Sequence, residues 1–203
     1  SDARVGIVSG CLGGTSTISN VTYENVTGAT NLIGATYDNA KAVAAKIGDT
    51  YYATLEEALA AVQNGETITL TEGAEGDESK TEIEFTKAIE FTITGKAPKY
   101  ALPVITFQNT TVNIKDAEVL IPELDARQNA TINVIDSKVV GVGGDDIIKS
   151  YYNGAINIEG KSEVYTMQVT TMGYINIKGE AKLNATWQTN VYGNGMITVE
   201  DDA

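Results

Sequence analysis

A short pattern of two apolar residues with one residue between them recurs along most of the chain. Successive copies lie about 20 residues apart, a repeat length that is typical of a solenoid. Alternating apolar positions are typical of a strand with one buried face, so each copy predicts a short strand whose pair points into the core. The pairs are Ile68/Leu70, Phe91/Ile93, Val112/Ile114, Ile132/Val134, Ile156/Ile158, Ile175/Ile177 and Ile197/Val199.

Turn residues and a second apolar position follow these pairs. In the last six copies the residue two positions after the pair is glycine or aspartate, which favours a turn where the chain leaves the strand. These turn residues are Gly95, Asp116, Asp136, Gly160, Gly179 and Asp201. The apolar residues that come next predict a second strand and are Val119, Val139, Val164 and Leu183.

A third strand is predicted upstream of each pair. Positions eight and six residues before a pair are mostly apolar or small, so we expect them to point inward. They are Val104/Thr106, Leu124/Ala126, Ile148/Ser150, Met167/Val169 and Thr189/Val191. Three strands in each complete turn, here called a rung, with rungs about 4.8 Å apart, predict an all-β fold. The specific prediction is a right-handed parallel β-helix.

Two sets of polar residues, each at a fixed position relative to the pairs, support this alignment. Asparagine is common three residues before a pair, where it tolerates the left-handed backbone of a sharp turn. The residues at that position are Asn109, Asn129, Asn153, Met172 and Asn194. The residue between the two members of each pair is polar, and we expect a ladder of these side chains outside the sheet. That ladder is Thr69, Thr92, Asn113, Asn133, Asn157, Asn176 and Thr198.

One amphipathic helix is predicted near residues 54–64, just before the first pair. Thr54 and Glu57 have the spacing of a capping box, in which each side chain accepts a hydrogen bond from a backbone N–H at the helix start. Gly65 is expected to end the helix. The helix would cover the first rung, which otherwise exposes its core and a strand edge. Its apolar face is Leu55, Ala58, Leu59 and Val62.

The chain divides into two parts. Residues 46–203 are predicted to form the parallel β-helix domain with its capping helix, and residues 1–45 an N-terminal strand-rich segment. Within that segment, the pattern VGIVSGCLGGTSTISNVTYENVTG resembles the glycine-rich GLUG-type repeats of bacterial surface proteins. The resemblance implies the tail of an upstream solenoid, or a strand pair laid against the main one.

A second resemblance concerns the predicted helix and first strand. The stretch YATLEEALAAVQNGETITL is similar to the beginning of pectate-lyase-like parallel β-helix domains, where a capping helix precedes the rungs. It most resembles large surface proteins of gut bacteria, in which I-G-D-x-x-Y-x-T-L-x-E-A recurs, as it does from residue 47 here. The resemblance implies an extracellular, cell-surface setting.

Composition excludes several classes of function. The chain has a net charge of -13 with 14 Lys and Arg residues and no histidine. Nucleic acids and anionic membrane surfaces are both bound through clustered positive charge, so we expect neither as a partner. No segment approaches the roughly 18 apolar residues of a membrane helix, so we expect no membrane insertion. Cys11 is the single cysteine, which excludes an internal disulfide. We expect no cofactor and no metal.

No catalytic constellation stands out in the sequence. Polysaccharide lyases of the similar fold use an acidic calcium cluster and an Arg or Lys base, whereas Arg127 has one expected carboxylate neighbour, Asp125. The segment with Asp145 and Asp146 resembles part of a polygalacturonase site, where two carboxylates serve as acid and base. That family also requires a histidine segment, and this chain has no histidine. We therefore predict no catalytic residues.

A line of aromatic and cationic residues is predicted outside the third strand. The residues five positions before a pair are Phe107, Arg127, Tyr151, Thr170 and Tyr192. Exposed rings beside a guanidinium can stack on sugars or anchor a protein, although plain cross-strand packing is the alternative explanation. The predicted ligand-binding residues are Phe107, Arg127, Tyr151, Tyr152, Trp187 and Tyr192.

Together these patterns predict a non-catalytic extracellular β-solenoid module of a bacterial surface protein. It would act as a stalk or adhesin and bind a host or cell-surface glycan or protein. Two alternatives stay open: a polysaccharide lyase or glycoside hydrolase of β-helix type, and a self-assembling structural or filament subunit. The second alternative follows from the incomplete last rung, whose open edge either further rungs of a longer parent protein or another subunit would cover.

Overall fold

The structure, a computed structural model, describes residues 44–71, 82–142 and 147–200. Several predictions concern residues outside these stretches. The GLUG-like pattern, Cys11 and nearly all of the predicted N-terminal segment precede residue 44. Asp145, Asp146 and the turn residue Asp201 also lie outside the described residues.

The described residues form one short helix and sixteen strands. The N-terminal elements are β1 (Ala45–Ile47), β2 (Thr50–Tyr52), α1 (Leu55–Ala61), β3 (Thr67–Leu70), β4 (Ile83–Phe85), β5 (Glu90–Ala101), β6 (Ile105–Gln108), β7 (Thr111–Ile121) and β8 (Glu123–Arg127). The remaining strands are β9 (Thr131–Ile135), β10 (Lys138–Gly141), β11 (Ile147–Ser150), β12 (Ala155–Glu159), β13 (Glu163–Thr171), β14 (Tyr174–Lys178), β15 (Lys182–Val191) and β16 (Met196–Glu200).

The strands stack into three parallel ladders, which confirms a parallel β-helix with three strands per rung. The first ladder runs β3, β5, β7, β9, β12, β14 and β16. The second contains the later parts of β5 and β7, then β10, and the first parts of β13 and β15. The third runs β4, β6, β8 and β11, and ends in the last parts of β13 and β15.

The core contains the apolar pairs that define the repeat. Both members of each pair from Ile68/Leu70 to Ile175/Ile177 are buried, as predicted. In the last rung Ile197 is partly buried and Val199 is 58% exposed, because no further strand covers them among the described residues. The second apolar position is also confirmed, since Val119, Val139 and Val164 are buried and stand in register.

The third strand is displaced from its predicted alignment in two rungs. Its inward residues there are Ile105/Phe107 and Val169/Thr171, whereas Val104/Thr106 and Met167/Val169 were expected. The physical reason is the turn between the third strand and the next pair, which varies in length from rung to rung. Inward positions that are assigned by counting residues back from the pair are therefore wrong in the rungs where that turn is shorter. In the other rungs the inward positions are as predicted, in register with these residues.

Left-handed turn residues occur where they were expected. Each described residue two positions after a pair has a positive φ: Gly95 (90°), Asp116 (49°), Asp136 (47°), Gly160 (68°) and Gly179 (73°). The asparagine position is left-handed in three rungs, at Asn109 (52°), Asn129 (65°) and Asn153 (66°). Met172 and Asn194 do not share this conformation, and Gly193 (59°) has it in the last rung.

An asparagine ladder runs along the outer face of the first ladder of strands, as predicted from the polar residues between the two members of each pair. Asn133 donates to Asn113 (2.8 Å), Asn157 to Asn133 (2.7 Å) and Asn176 to Asn157 (2.8 Å). Asn113 in turn donates to Glu90 Oε1 (3.0 Å). Because each amide bridges neighbouring rungs, the ladder ties them together along the solenoid axis.

The capping helix is confirmed, but its C-terminal end comes earlier in the chain than predicted. Glu57 N–H donates to Thr54 Oγ1 (3.1 Å), and the Glu57 carboxylate accepts from Ala53 N–H (3.0 Å). Leu55, Ala58 and Leu59 are buried in the core. The helix stops at Ala61 because Val62 is already extended, so Gly65 does not end it. β1 pairs antiparallel with β2 and β3, so the hairpin and α1 together cover the first rung.

Candidate functional site

The outer face of the third ladder brings together most of the predicted binding residues. Each rung contributes two outward side chains from the strand and one from the residue that ends or follows it, because alternate residues of a strand face opposite sides. In chain order, and in register from rung to rung, they are Glu123/Asp125/Arg127, Ile147/Lys149/Tyr151, Gln168/Thr170/Met172 and Gln188/Asn190/Tyr192.

The last position of each row forms a column parallel to the solenoid axis, here called the outer column. Its members in these four rungs are Arg127, Tyr151, Met172 and Tyr192, and Gln108 occupies the same position in the rung before them. Its backbone is regular, since Tyr151 N–H, Met172 N–H and Tyr192 N–H each donate to the rung before (2.8–2.9 Å). Arg127, Tyr151 and Tyr192 therefore share one column, as predicted.

Phe107 is a wrong prediction, and so is the outward exposure of Thr170. The Phe107 side chain is 0% exposed and lies in the core, with ring centroids 6.0 Å from Phe85 and 6.4 Å from Phe91. Thr170 faces outward within the strand but is buried. Both errors have the cause given above: the turn before the next pair is shorter in these rungs. Gln108 and Met172 take the places that were assigned to Phe107 and Thr170.

Arg127 is held by a carboxylate and packed against an aromatic ring. Its Nε donates to Asp125 Oδ2 (2.7 Å), and its Nη2 lies 2.6 Å from the same oxygen. Its Cζ lies 5.8 Å from the centroid of the Tyr151 ring, within the range of a cation–π contact. The Tyr151 ring is 6.3 Å from the Tyr152 ring, which is 67% exposed. The guanidinium and the two rings therefore form one cluster.

Asp125 has the least ordinary environment on this face. Its side chain is 0% exposed, and within the described residues its Oδ1 has no hydrogen-bond partner, nor does Oγ1 of the adjacent Thr106. Burial raises the pKa of Asp125 because it penalises the carboxylate, and the Arg127 contacts oppose that rise only in part. The hydrogen bond to Asp125 raises the pKa of Arg127, and burial raises the pKa of Tyr151.

Arg127 has more carboxylate neighbours than the sequence led us to expect. Glu123 lies two residues before Asp125 on the same face of β8 and pairs with Lys149 Nζ (2.7 Å). Glu84 lies on the same outer face two rungs away, on β4, and accepts a hydrogen bond from Gln108 Nε2. The expectation of a single neighbouring carboxylate is therefore wrong. Each of these acids is already engaged by a cation or an amide of the same face.

The next two rungs carry neutral side chains in the same positions. Gln168 Nε2 donates to Thr170 Oγ1 (3.1 Å), and Gln188 Nε2 donates to Asn190 Oδ1 (2.8 Å). Beside them, Met172 and Tyr192 of the outer column are exposed. Sequence reasoning missed these amides because it examined one position per rung. The alternation of polar residues in 168–172 and 188–192 was the signal that could have found them.

Trp187 stands apart from the outer column. It lies on β15 where the register with β13 shifts, since Thr166 pairs with Ala185 and Gln168 with Gln188. The extra residue marks a bulge between the second and third ladders. The Trp187 side chain is exposed, and within the described residues no ring contact joins it to Tyr151, Tyr152 or Tyr192. The structure therefore separates Trp187 from the other predicted binding residues.

No protein-family model matches the chain, and neither curated proteins nor solved structures gave a match. Within the three described stretches, no helix has the length and apolar character needed to cross a membrane. The same stretches contain no group of three or more acidic or cysteine side chains placed to hold a metal ion.

Proposed function

We propose that this chain is a non-catalytic, extracellular β-solenoid module of a bacterial surface protein, and that it binds a glycan. The binding surface is the outer face of the third ladder. The observation that carries this proposal is the cluster of Arg127, Tyr151 and Tyr152, which the outer column extends to the exposed Tyr192.

The aromatic side chains of this face suit the apolar faces of sugar rings. Aromatic rings supply a large contact area, and tyrosine adds a polar tip that finds a hydrogen-bond partner. Tyr151 follows β11, whose backbone is bonded to both neighbouring rungs, and Tyr192 follows β15, whose backbone is bonded to the rung before it, so the spacing of the two rings is set by the strands. A preformed surface of this kind loses little conformational entropy when it binds a ligand.

The state of the carboxylates supports a binding role over a catalytic one. A general acid must reach the glycosidic oxygen of its substrate, whereas Asp125 is fully buried and bonded to Arg127. Glu123 is engaged by Lys149. A turnover assay on neutral and acidic polysaccharides checks this part of the proposal. Cleavage by the wild type that disappears in Asp125→Asn would overturn it.

The setting at a bacterial cell surface is supported by sequence resemblance. Residues 47–70 are similar to the beginning of pectate-lyase-like β-helix domains in surface proteins of gut bacteria, and this stretch folds into the cap that the resemblance implied. A solenoid of stacked rungs also suits a stalk that holds a binding face away from a cell.

The test of binding is a glycan array probed with wild-type protein and single variants. We expect Tyr152→Asn and Tyr192→Ala each to weaken the signal several-fold, in line with about 1 kcal/mol for a lost aromatic contact. Asparagine is chosen at position 152 because Tyr152 has a φ of 50°, which asparagine tolerates.

The matched control is Tyr174→Ala, which removes an exposed tyrosine from the first ladder. It should leave the array signal unchanged. Equal loss in all three variants, or no loss in any of them, would contradict the proposed face. Circular dichroism of each variant separates lost binding from lost folding.

Self-association is a second candidate function, and a separate observation favours it. The last strands of all three ladders, which belong to β15 and β16, are unpaired on their outer edges within the described residues. Val191, Met196 and Val199 are exposed there. An open strand edge with exposed apolar side chains is a template for strand addition.

A further inference from the structure

We propose further that the ligand of the outer face is a neutral oligosaccharide that lies along the solenoid axis. This inference rests on the proposed glycan-binding function and adds the charge, the minimum length and the direction of the ligand. Three features of the face support this inference. Its charged side chains are paired, its last two rungs carry neutral amides, and its outer column places one residue per rung along the solenoid axis.

The charges of the face are already paired. Arg127 is bonded to Asp125 and Lys149 to Glu123, so the charge of each cation is already balanced by a carboxylate of the face and attracts the carboxylate of an acidic sugar less strongly. Glu84 adds a further negative charge, and it accepts a hydrogen bond from the neutral Gln108. The whole chain carries a net charge of -13, which repels polyanions at long range. A uronic-acid polymer would therefore find no unpaired cation among these residues.

The last two rungs offer neutral hydrogen-bonding groups in place of charges. Gln168, Gln188 and Asn190 face outward beside the exposed Met172 and Tyr192, and each amide makes one hydrogen bond within its rung and keeps further donor and acceptor positions. Amide and hydroxyl groups donate and accept, as the hydroxyls of a neutral sugar require. Apolar or aromatic surface next to such groups matches the two kinds of surface on a sugar ring.

The outer column sets the size of the ligand. Adjacent rungs are about 4.8 Å apart, so Tyr151 and Tyr192, two rungs apart, are separated by about 10 Å. Met172 lies between them and keeps the apolar strip continuous. One sugar ring cannot contact both tyrosines, whereas a chain of several rings along the axis can. Binding should therefore strengthen with chain length until the ligand spans the column.

The experiment compares two matched series of oligosaccharides by isothermal titration calorimetry with the complete chain. One series is a neutral glycan from one to six units, and the other is its uronic-acid counterpart. We expect affinity in the neutral series to rise at least ten-fold from one unit to four and then level off. We expect the acidic series to bind at least ten-fold more weakly, and neutral binding to change less than two-fold between 50 and 500 mM NaCl.

A pair of variants on one strand locates the site. Asn190→Leu removes an amide from the outer face, whereas Asn184→Leu makes the same change in the part of β15 that belongs to the second ladder. We expect Asn190→Leu to weaken binding of the neutral tetramer about five-fold and Asn184→Leu to leave it unchanged.

The outcomes separate this inference from the proposed function. Tighter binding of the acidic series, or binding that falls steeply with salt, would overturn the neutral ligand and leave glycan binding intact. A single sugar that binds as tightly as the tetramer would overturn the axial arrangement. If the wild type binds neither series nor any glycan of the array but does bind a protein partner, the proposed function itself fails.

Discussion

At the scale of single residues, the Asp125–Arg127 pair is the feature with the largest energetic consequence. A carboxylate that loses its hydration needs a partner, and Arg127 supplies two contacts to one oxygen while the other oxygen has none among the described residues. Breaking a buried pair by removing one partner costs far more than the pair contributes when intact, because a charge is left buried alone. The stability of this face therefore depends on Arg127.

We predict that Arg127→Met destabilises the protein by about 2 kcal/mol at neutral pH, below the cost for a fully buried pair because the guanidinium is about a third exposed. Urea denaturation measures the loss. Adding Asp125→Asn to Arg127→Met should recover at least half of it, because the buried charge is then gone. A double variant no more stable than Arg127→Met alone would show that the cost comes from lost packing.

The pH dependence of this effect has a definite sign. Burial raises the pKa of Asp125 in the folded protein, so the folded state binds the proton more tightly than the unfolded state. The contribution of Asp125 to stability is complete below its unfolded pKa and is lost as pH rises through the raised folded pKa. Removing Arg127 raises that pKa further. The destabilisation by Arg127→Met should therefore be smallest in acid and grow towards neutral pH.

At the scale of secondary-structure elements, α1 is stabilised by a residue far away in sequence. The helix has no basic residue in its last turn. Lys87, between β4 and β5, donates instead to the carbonyls of Leu59 (3.3 Å), Ala60 and Val62 (3.1 Å). A cation at the carbonyl end of a helix satisfies unpaired acceptors and complements the helix dipole. The cap is thereby fastened to the second rung.

We predict that Lys87→Met lowers the free energy of unfolding by about 2 kcal/mol, the cost of charged hydrogen bonds to partly buried carbonyls. Methionine keeps the apolar stem, so the difference reports the ammonium group. Lys138→Met, on the exposed start of β10, is the control and should change stability by less than about 0.5 kcal/mol. Thermal denaturation of the three proteins checks this, and equal melting temperatures would refute the role of Lys87.

The secondary-structure elements also show which parts of this fold could be predicted from the sequence. The first ladder was predictable because, in the five rungs where the structure describes it, the turn after the pair has constant length and its glycine or aspartate falls at the same place. The turn between the third strand and the next pair varies in length from rung to rung. In two rungs it is one or two residues shorter, which places Phe107 in the core and Thr170 within the strand. Arg127, Tyr151 and Tyr192 were placed in one column because their rungs have turns of the expected length.

At the scale of the whole molecule, the two ends of the solenoid differ. The first rung is closed by α1 and by the antiparallel hairpin of β1 and β2. The last rung leaves the edges of β15 and β16 unpaired within the described residues. Edges are normally protected by charge, proline or short length. β15 spans ten residues with Lys182 as its one charged residue, and β16 has Glu200 as its one charged residue.

We predict that the purified chain associates through this end as its concentration rises. The net charge of -13 opposes association elsewhere on the surface, so the interface should be confined to β15 and β16, each of which carries a single charged residue. Light scattering over a hundred-fold range of concentration measures the mass. Val199→Lys places a charge on an exposed apolar position of β16 and should keep the chain monomeric.

The control is Tyr174→Lys, which adds the same charge to an exposed position on the side of the solenoid. It should leave association unchanged, because the side faces are not part of the end contact. A wild-type chain that is monomeric at every concentration would remove the assembly function and leave the glycan-binding proposal standing, since the outer column includes neither Val199 nor Met196. Association lost in both variants would instead assign it to a side face and not to the open strand edges.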